Sequence, residues 1–297
     1  MQKYMGKGFI PALGTPLDDN GRVVEESFRK QIEDQIKAGA AGLLCMGSMG
    51  IQAFIDPAEC PNIARIAIDQ AAGRVPVFVG AMDCTIAGAI RRMKAMDDID
   101  VTAFVFTTPY YSPVKRPQII RFFTEIAKNT KHNVMAYDLP GVTQSKITYD
   151  MLKEISDTCP NFIGVKTADE QMIRKIKTWG EFPENFLTCF SGLDTFDVCY
   201  PFGFTNYLDG MVSCCPKNFE KMDKALLSGD MATASQCLTN VVKLRDAMAG
   251  HPYLLAAYTE VMHLLGYSGR FHPDFAEDEP QCREEMRRIL VEIGELE

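Results

Sequence analysis

The sequence predicts an α/β fold: a (β/α)8 TIM barrel followed by a C-terminal helical appendage. Short apolar runs rich in β-branched and aromatic residues recur at roughly thirty-residue intervals, each followed by a segment of helical period. That alternation belongs to a parallel sheet with crossover helices. Most of the runs lack polar alternation, as strands covered on both faces should. Eight of them suggest closure into a barrel, with a six-stranded open sheet as the main competitor.

The expected strands are Phe9 to Leu13, Ala41 to Met46, Val75 to Gly80, Val101 to Thr107, Asn133 to Tyr137, Phe162 to Lys166, Phe186 to Phe190 and Tyr207 to Ser213. Between the first two, Phe28, Ile32 and Ile36 line one face of a helix, while Glu26 and Lys30 stand at i,i+4 on another. Ile63, Ile66 and Ala67 repeat the pattern after Pro57, a residue suited to a first helical turn. Pro117 to Lys128, Tyr149 to Ser156 and Asp169 to Trp179 are further helices, the last opening on a carboxylate. After about Leu226 the strands stop. Met231 to Met248, Tyr253 to Leu265 and Pro280 to Ile293 are helical, punctuated by Gly250 and Gly266. Gly266 to Glu279 holds two glycines, a proline and several acids, so it is expected to be a loop. The expected division is a catalytic barrel over 1–226 and a helical domain over 227–297.

Apolar residues make up 46% of the 297 positions and charged ones 24%, the proportions of a globular protein with a large interior. The net charge of −8, with no basic cluster and no aromatics interleaved with cations, speaks against nucleic acid as a partner. An anionic metabolite stays compatible, because a few local donors decide that. The ten cysteines show no C-x-x-C spacing and several fall in apolar runs, so reduced, buried thiols in a cytoplasmic protein are expected. His132, His251, His263 and His272 form no metal-site pair on a helix face, so neither metal nor organic cofactor is expected. Pro11, Gly14 and Pro16 interrupt the stretch after Met1 to Gly8, and nowhere do eighteen apolar residues run together. Neither a secretion signal nor a membrane span is therefore expected.

Active sites of such barrels gather at the C-terminal ends of the strands. Lys166 ends the run Phe162-Ile163-Gly164-Val165, Tyr137 ends Asn133 to Ala136, Ser48 follows Leu43 to Met46, and Tyr110 and Tyr111 follow the fourth strand. Alone, a lysine at a strand end is most often a solvent-facing cap, and a tyrosine there most often packs its ring inward. In a barrel mouth an ammonium is desolvated, its pKa falls, and the neutral amine can attack a carbonyl to give an imine. A phenol beside it, eased by a neighbouring hydroxyl, can relay protons. The turn Gly47-Ser48-Met49-Gly50 offers backbone N–H groups that can hold a carboxylate.

These residues resemble, nearly end to end, the pyruvate-dependent family that includes N-acetylneuraminate lyase and dihydrodipicolinate synthase. Gly8 to Gly21, with Thr15-Pro16 and Asp19-Asn20-Gly21, looks like the family's opening strand and turn. Gly47-Ser48-Met49-Gly50 resembles its carboxylate-binding Gly-Ser/Thr-Thr-Gly-Glu, and Thr108-Pro109-Tyr110-Tyr111 its fourth-strand motif. Tyr137-Asp138-Leu139-Pro140 is similar to Tyr-Asn-x-Pro, and Gly164-Val165-Lys166 to the Schiff-base segment. Ser191-Gly192-Leu193-Asp194 is similar to the seventh-strand motif, and Gly269-Arg270-Phe271-His272-Pro273 to a late Gly-x-x-x-Pro loop. The resemblance implies that Lys166 forms the imine, Tyr137 relays protons, Ser48 bonds Tyr137, and Tyr111 completes the relay in a neighbouring subunit of a homotetramer, a dimer of dimers. It implies that Gly47, Ser48 and Met49 cradle the keto-acid carboxylate, that Thr167 lies beside the lysine, and that Gly192, Asp194 and Ser213 face the variable part of the substrate.

Departures from the family pattern bear on the reaction. Dihydrodipicolinate synthases usually carry arginine where Val142 stands, and valine cannot bond a carboxylate bidentately. Sialic acid lyases usually carry an acid where Thr195 stands, and Met49, Ile51 and Asp138 replace the usual Thr, Glu and Asn. The first expectation is a lyase or aldolase that joins or splits a 2-keto acid, such as a sugar acid, into pyruvate and an aldehyde. Dihydrodipicolinate synthase or a keto-deoxy-acid dehydratase is the alternative, and a non-catalytic keto-acid sensor is the reading from another class.

Overall fold

The computed structural model describes residues 6–297, so residues 1–5 of the Met1 to Gly8 stretch lie outside it. Eight strands form one sheet: β1 (Gly8–Pro11), β2 (Leu43–Cys45), β3 (Val77–Gly80), β4 (Ala103–Thr107), β5 (Val134–Tyr137), β6 (Phe162–Thr167), β7 (Leu187–Phe190) and β8 (Asn206–Asp209). Every ladder is parallel, in the order β1-β8-β7-β6-β5-β4-β3-β2. The two ends of that order meet through a parallel bridge between Ala12 and Leu44, where the Leu13 N–H donates to the Leu44 carbonyl at 2.9 Å. The sheet is therefore a (β/α)8 barrel, and the open-sheet competitor falls away.

Alternation along the strands divides the apolar side chains into two layers. Ile10, Leu44, Phe78, Val105, Met135, Ile163 and Leu208 fill the barrel. Phe9, Val77, Phe104, Val134, Phe162 and Tyr207 pack outward against helix residues such as Phe28, Ile32, Ile63 and Phe122. Both faces are covered, which is why the strands lack polar alternation.

The helices are α1 (Glu25–Lys37), α2 (Cys60–Ala71), α3 (Ile86–Lys94), α4 (Arg116–Lys128), the single turn α5 (Pro140–Thr143), α6 (Tyr149–Thr158), α7 (Glu170–Thr178), the short α8 (Phe196–Cys199), α9 (Pro216–Ser228), α10 (Met231–Ala249), α11 (Leu254–Leu264) and α12 (Arg283–Glu292). In α1, Lys30 pairs forward with Asp34 at 2.7 Å, and not with Glu26 as the spacing suggested. Pro57 lies in the turn before α2, whose own start carries Pro61. Asp169 caps α7 by accepting the Met172 N–H at 2.8 Å. The largest boundary difference is in β8, which stops at Asp209 where the sequence pattern ran on to Ser213. There Gly210 opens a 3-10 turn over Met211–Cys214. A side chain at 210 would strike Met49, which the glycine accommodates.

Candidate active site

Tyr137 and Lys166 are register partners at the ends of β5 and β6. Lys166 is 4% exposed, and its Nζ lies 4.0 Å from the centroid of the Tyr137 ring. The Tyr137 hydroxyl is 3.5 Å from Ser48 Oγ, a long contact at the limit of a hydrogen bond. Amine, phenol and hydroxyl, drawn from three strand ends, thus stand in one chain of neighbours.

The loop that carries Ser48 is under backbone strain. Met46 and Ile51 both take left-handed conformations, with φ of 53° and 48°, and the latter is β-branched. A Cβ on Gly50 would lie 2.9 Å from the Leu13 carbonyl oxygen and 3.0 Å from the Met46 nitrogen, so the turn admits only glycine there. Gly47 is similarly tight against Leu44. Thr15 ties the loop to the segment after β1 by donating to the Gly50 carbonyl at 2.8 Å. Among the described residues the N–H groups of Ser48 and Met49 donate no hydrogen bond, leaving two adjacent donors at the barrel mouth.

Asp138, one residue beyond Tyr137, is buried and saturated. Its carboxylate accepts Lys146 Nζ at 2.5 Å, the Ile147 N–H at 2.9 Å and Thr167 Oγ1 at 2.9 Å. Lys146 also reaches Asp169 at 2.9 Å. Burial works against the Lys146 charge, but the two carboxylates outweigh it and raise its pKa. Burial likewise works against Asp169, yet the Met172 N–H and Lys146 hold it below the usual carboxylate range. The Lys146 clamp was not foreseen from sequence; the one signal was a lysine eight residues after an aspartate that stands in place of asparagine.

Other expected site residues fall less simply. Thr167 is buried, as its place beside the lysine implied, but its hydroxyl serves Asp138 and the Asp169 N–H. Gly192 packs on Phe190, whose ring atoms would lie 2.4 Å from an added Cβ. Asp194 is exposed and held by Arg245 Nη1 at 2.7 Å, which lowers its pKa. Ser213 does not face the cavity. The early end of β8 buries it, and its hydroxyl is taken by the Gly210 carbonyl at 2.6 Å and Tyr258 at 2.7 Å. Tyr111 is 91% exposed, whereas half-buried Tyr110 has its pKa pushed up to about 12 by burial and then by the Cys84 thiol.

Two cavities adjoin the Tyr137–Ser48 pair. One of about 680 Å³ is lined by Tyr137, Asp138, Lys146, Asp169, Ser191 and Asp209, among others. The other, about 410 Å³, is lined by Ser48, Phe54, Met82, Tyr110, Leu139 and Val142, among others. The expected strand Tyr207 to Ser213 places Asp209 in mid-strand; in the structure β8 ends at Asp209, which lines the larger cavity. Among the described residues no group of three or more His, Cys, Asp or Glu is placed to hold a metal ion, and no helix is long and apolar enough to cross a membrane.

Comparison with known proteins adds three findings. The model of the dihydrodipicolinate synthetase family matches residues 5–292. A 4-hydroxy-tetrahydrodipicolinate synthase of Bartonella tribocorum is 28% identical over 255 residues, 84% of each protein, and one of Porphyromonas gingivalis is 32% identical over 57% of each. Among solved structures, a prophage protein of the dihydrodipicolinic acid synthase family from E. coli K12, in complex with pyruvate, superposes with a TM-score of 0.85 at 22% identity, covering 97% of this chain and 98% of that one. Dihydrodipicolinate synthase from Aquifex aeolicus gives 0.86 at 20% identity, with coverage of 97% and 98%. At those identities the superpositions speak for the barrel alone.

Proposed function

The chain belongs to the dihydrodipicolinate synthetase family, and from that premise we propose that Lys166 forms an imine with pyruvate while Tyr137 moves the protons. Members of the family are pyruvate-dependent carbon–carbon lyases of the class I aldolase type, and the chain is an enzyme of that class. The observation that carries the assignment of roles is the buried Lys166 amine 4.0 Å from the ring of Tyr137. A neutral amine attacks the C2 carbonyl, the carbinolamine loses water, and the iminium draws electrons from C3 so that a proton leaves and an enamine forms. The enamine attacks an aldehyde carbon, and the resulting alkoxide takes a proton. Tyr137, with Ser48 beside its hydroxyl, is the group positioned to give and receive these protons. The unpartnered N–H groups of Ser48 and Met49, next to Gly47, would hold the keto-acid carboxylate. Tyr111, exposed on one chain, would complete the relay across an interface of a cytoplasmic homotetramer.

For the aldehyde, the names of the relatives favour 4-hydroxy-tetrahydrodipicolinate synthase, the alternative in the sequence reading, over the sugar-acid lyase ranked first there. The lyase keeps one specific observation on its side. Val142, 60% exposed, presents no guanidinium to a second carboxylate. Borohydride reduction in the presence of pyruvate, read by intact mass, should add one reduced pyruvate; an unmodified protein overturns the imine. A panel of aldehydes with pyruvate then ranks the two reactions: best turnover with aspartate semialdehyde supports the synthase, and best turnover with sugar aldehydes supports the lyase.

A further inference from the structure

Asp209 ends β8 beside the candidate site and has no role in the proton relay. It lines the larger cavity together with Tyr137 and Ser191. One oxygen, Oδ1, accepts the Met211 N–H at 2.9 Å and so begins the turn that ends the strand. Its other oxygen has no hydrogen-bond or ion-pair partner among the described residues. The turn needs one acceptor, which an asparagine or serine would supply without a charge. Burial raises the Asp209 pKa, opposed first by Lys166, then by the Met211 N–H and Arg245. The protein therefore keeps at the mouth a carboxylate that it compensates only in part.

The rest of the cavity wall does not relieve it. Four carboxylates, Asp138, Asp169, Glu170 and Asp209, line this space against the single ammonium of Lys146. That ammonium is already committed to Asp138 and Asp169. Resting on the pyruvate-imine reading above, we propose that Asp209 is a specificity residue that binds a hydrogen-bond donor, a hydroxyl or an ammonium, on the aldehyde partner. An aldehyde with only alkyl groups would displace water from this carboxylate and give nothing back. A site built around such an acceptor rejects the analogue that lacks the donor.

Matched aldehyde pairs test this with pyruvate as the common partner. Glyceraldehyde against propionaldehyde reads a hydroxyl, and aspartate semialdehyde against succinate semialdehyde reads an ammonium. In the wild-type enzyme kcat/KM should favour the donor-bearing member of at least one pair by about tenfold or more, the scale of a hydrogen bond to a charged group. Asp209→Leu should bring that ratio close to one, and Asp209→Asn, matched in size, should lower it several-fold. The asparagine variant decides the matter if leucine disturbs folding. No preference in the wild type, or ratios that both variants leave unchanged, overturns the inference. Borohydride trapping of pyruvate on the wild type keeps the two failures apart: without an adduct the imine reading itself is wrong, while an adduct with unmoved ratios removes Asp209 alone.

Discussion

The two cavities that flank Tyr137 and Ser48 are built by different means. The larger is walled by charges that the chain pairs in part: Asp138 and Asp169 on Lys146, with Glu170 and Asp209 outside that pairing. The smaller is walled by Phe54, Met82, Tyr110, Leu139 and Val142, held by packing. Tyr137 lines the first and Ser48 the second, so the contact between their hydroxyls joins a polar chamber to an apolar one. The contrast suggests a division of labour in which recognition of a polar substrate tail falls to the charged side, while the apolar side holds the phenol's hydroxyl partner away from competing carboxylates.

The largest effect should come at the junction. Lys166→Ala should lose the borohydride-trapped pyruvate adduct and reduce turnover to background, since among the described residues no other buried lysine lies against the Tyr137 ring. Retained turnover would show that neither cavity serves imine chemistry. Tyr137→Phe should keep the adduct but slow turnover by about a hundredfold or more, the scale of a lost proton relay. A phenylalanine enzyme with wild-type kcat would reduce Tyr137 to a packing residue and dissolve the link between the chambers.

The next effect sharpens the charged side. Asp138→Ala leaves the Ile147 N–H and the Thr167 hydroxyl without their acceptor in a buried place, and should destabilise the fold by about 2–4 kcal/mol in denaturant unfolding. The clamp also has a pH window. Lys146 is raised above its ordinary 10.5, so its contribution is whole below that pH and is lost as pH rises through the higher folded value. Asp169 is depressed below 3.8, so its contribution is present above that pH and is lost as pH falls through the lower folded value. Unfolding free energies measured across pH, for the wild type and Lys146→Met, should differ most between those limits; a constant difference outside them would mean that packing, and not charge, makes the clamp.

The charged side is also where sequence reasoning fell short. All eight strands lie where apolar runs place them, because burial on both faces leaves an unbroken apolar stretch that needs no partner to be recognised. Lys166, Tyr137 and Ser48 could be named as candidates because the first two end such a stretch and the third follows one closely. Lys146 and Asp209 could not. The first acts through pairs that form only when the loop after β5 folds against α7, and the second depends on β8 stopping at Asp209, a boundary that Val212 and the cysteines after it hide within a longer apolar run. The same hidden boundary moved Ser213 from the expected substrate wall into the core with Tyr258. Pro57 misled in a similar way, since Pro61 also offers a helix start and the chain uses the later one.

The smallest effect is expected on the apolar side. Tyr110 is half-buried there, and burial and the Cys84 thiol push its pKa from 10.0 up to about 12. For a phenol the raised value means that the folded state keeps its proton after the unfolded chain has lost it. Its contribution is therefore whole below pH 10 and disappears as pH rises from 10 to about 12. Tyr110→Phe should remove one late step from the phenolate absorbance titration while changing stability at neutral pH by less than about 1 kcal/mol, because the ring that fills the pocket remains. Tyr149 and other buried phenols are raised as well, so the test is the loss of one phenol's amplitude near pH 12. If that amplitude is unchanged by the substitution, the phenol in that pocket is not shielded, and the apolar chamber is wetter than its walls imply.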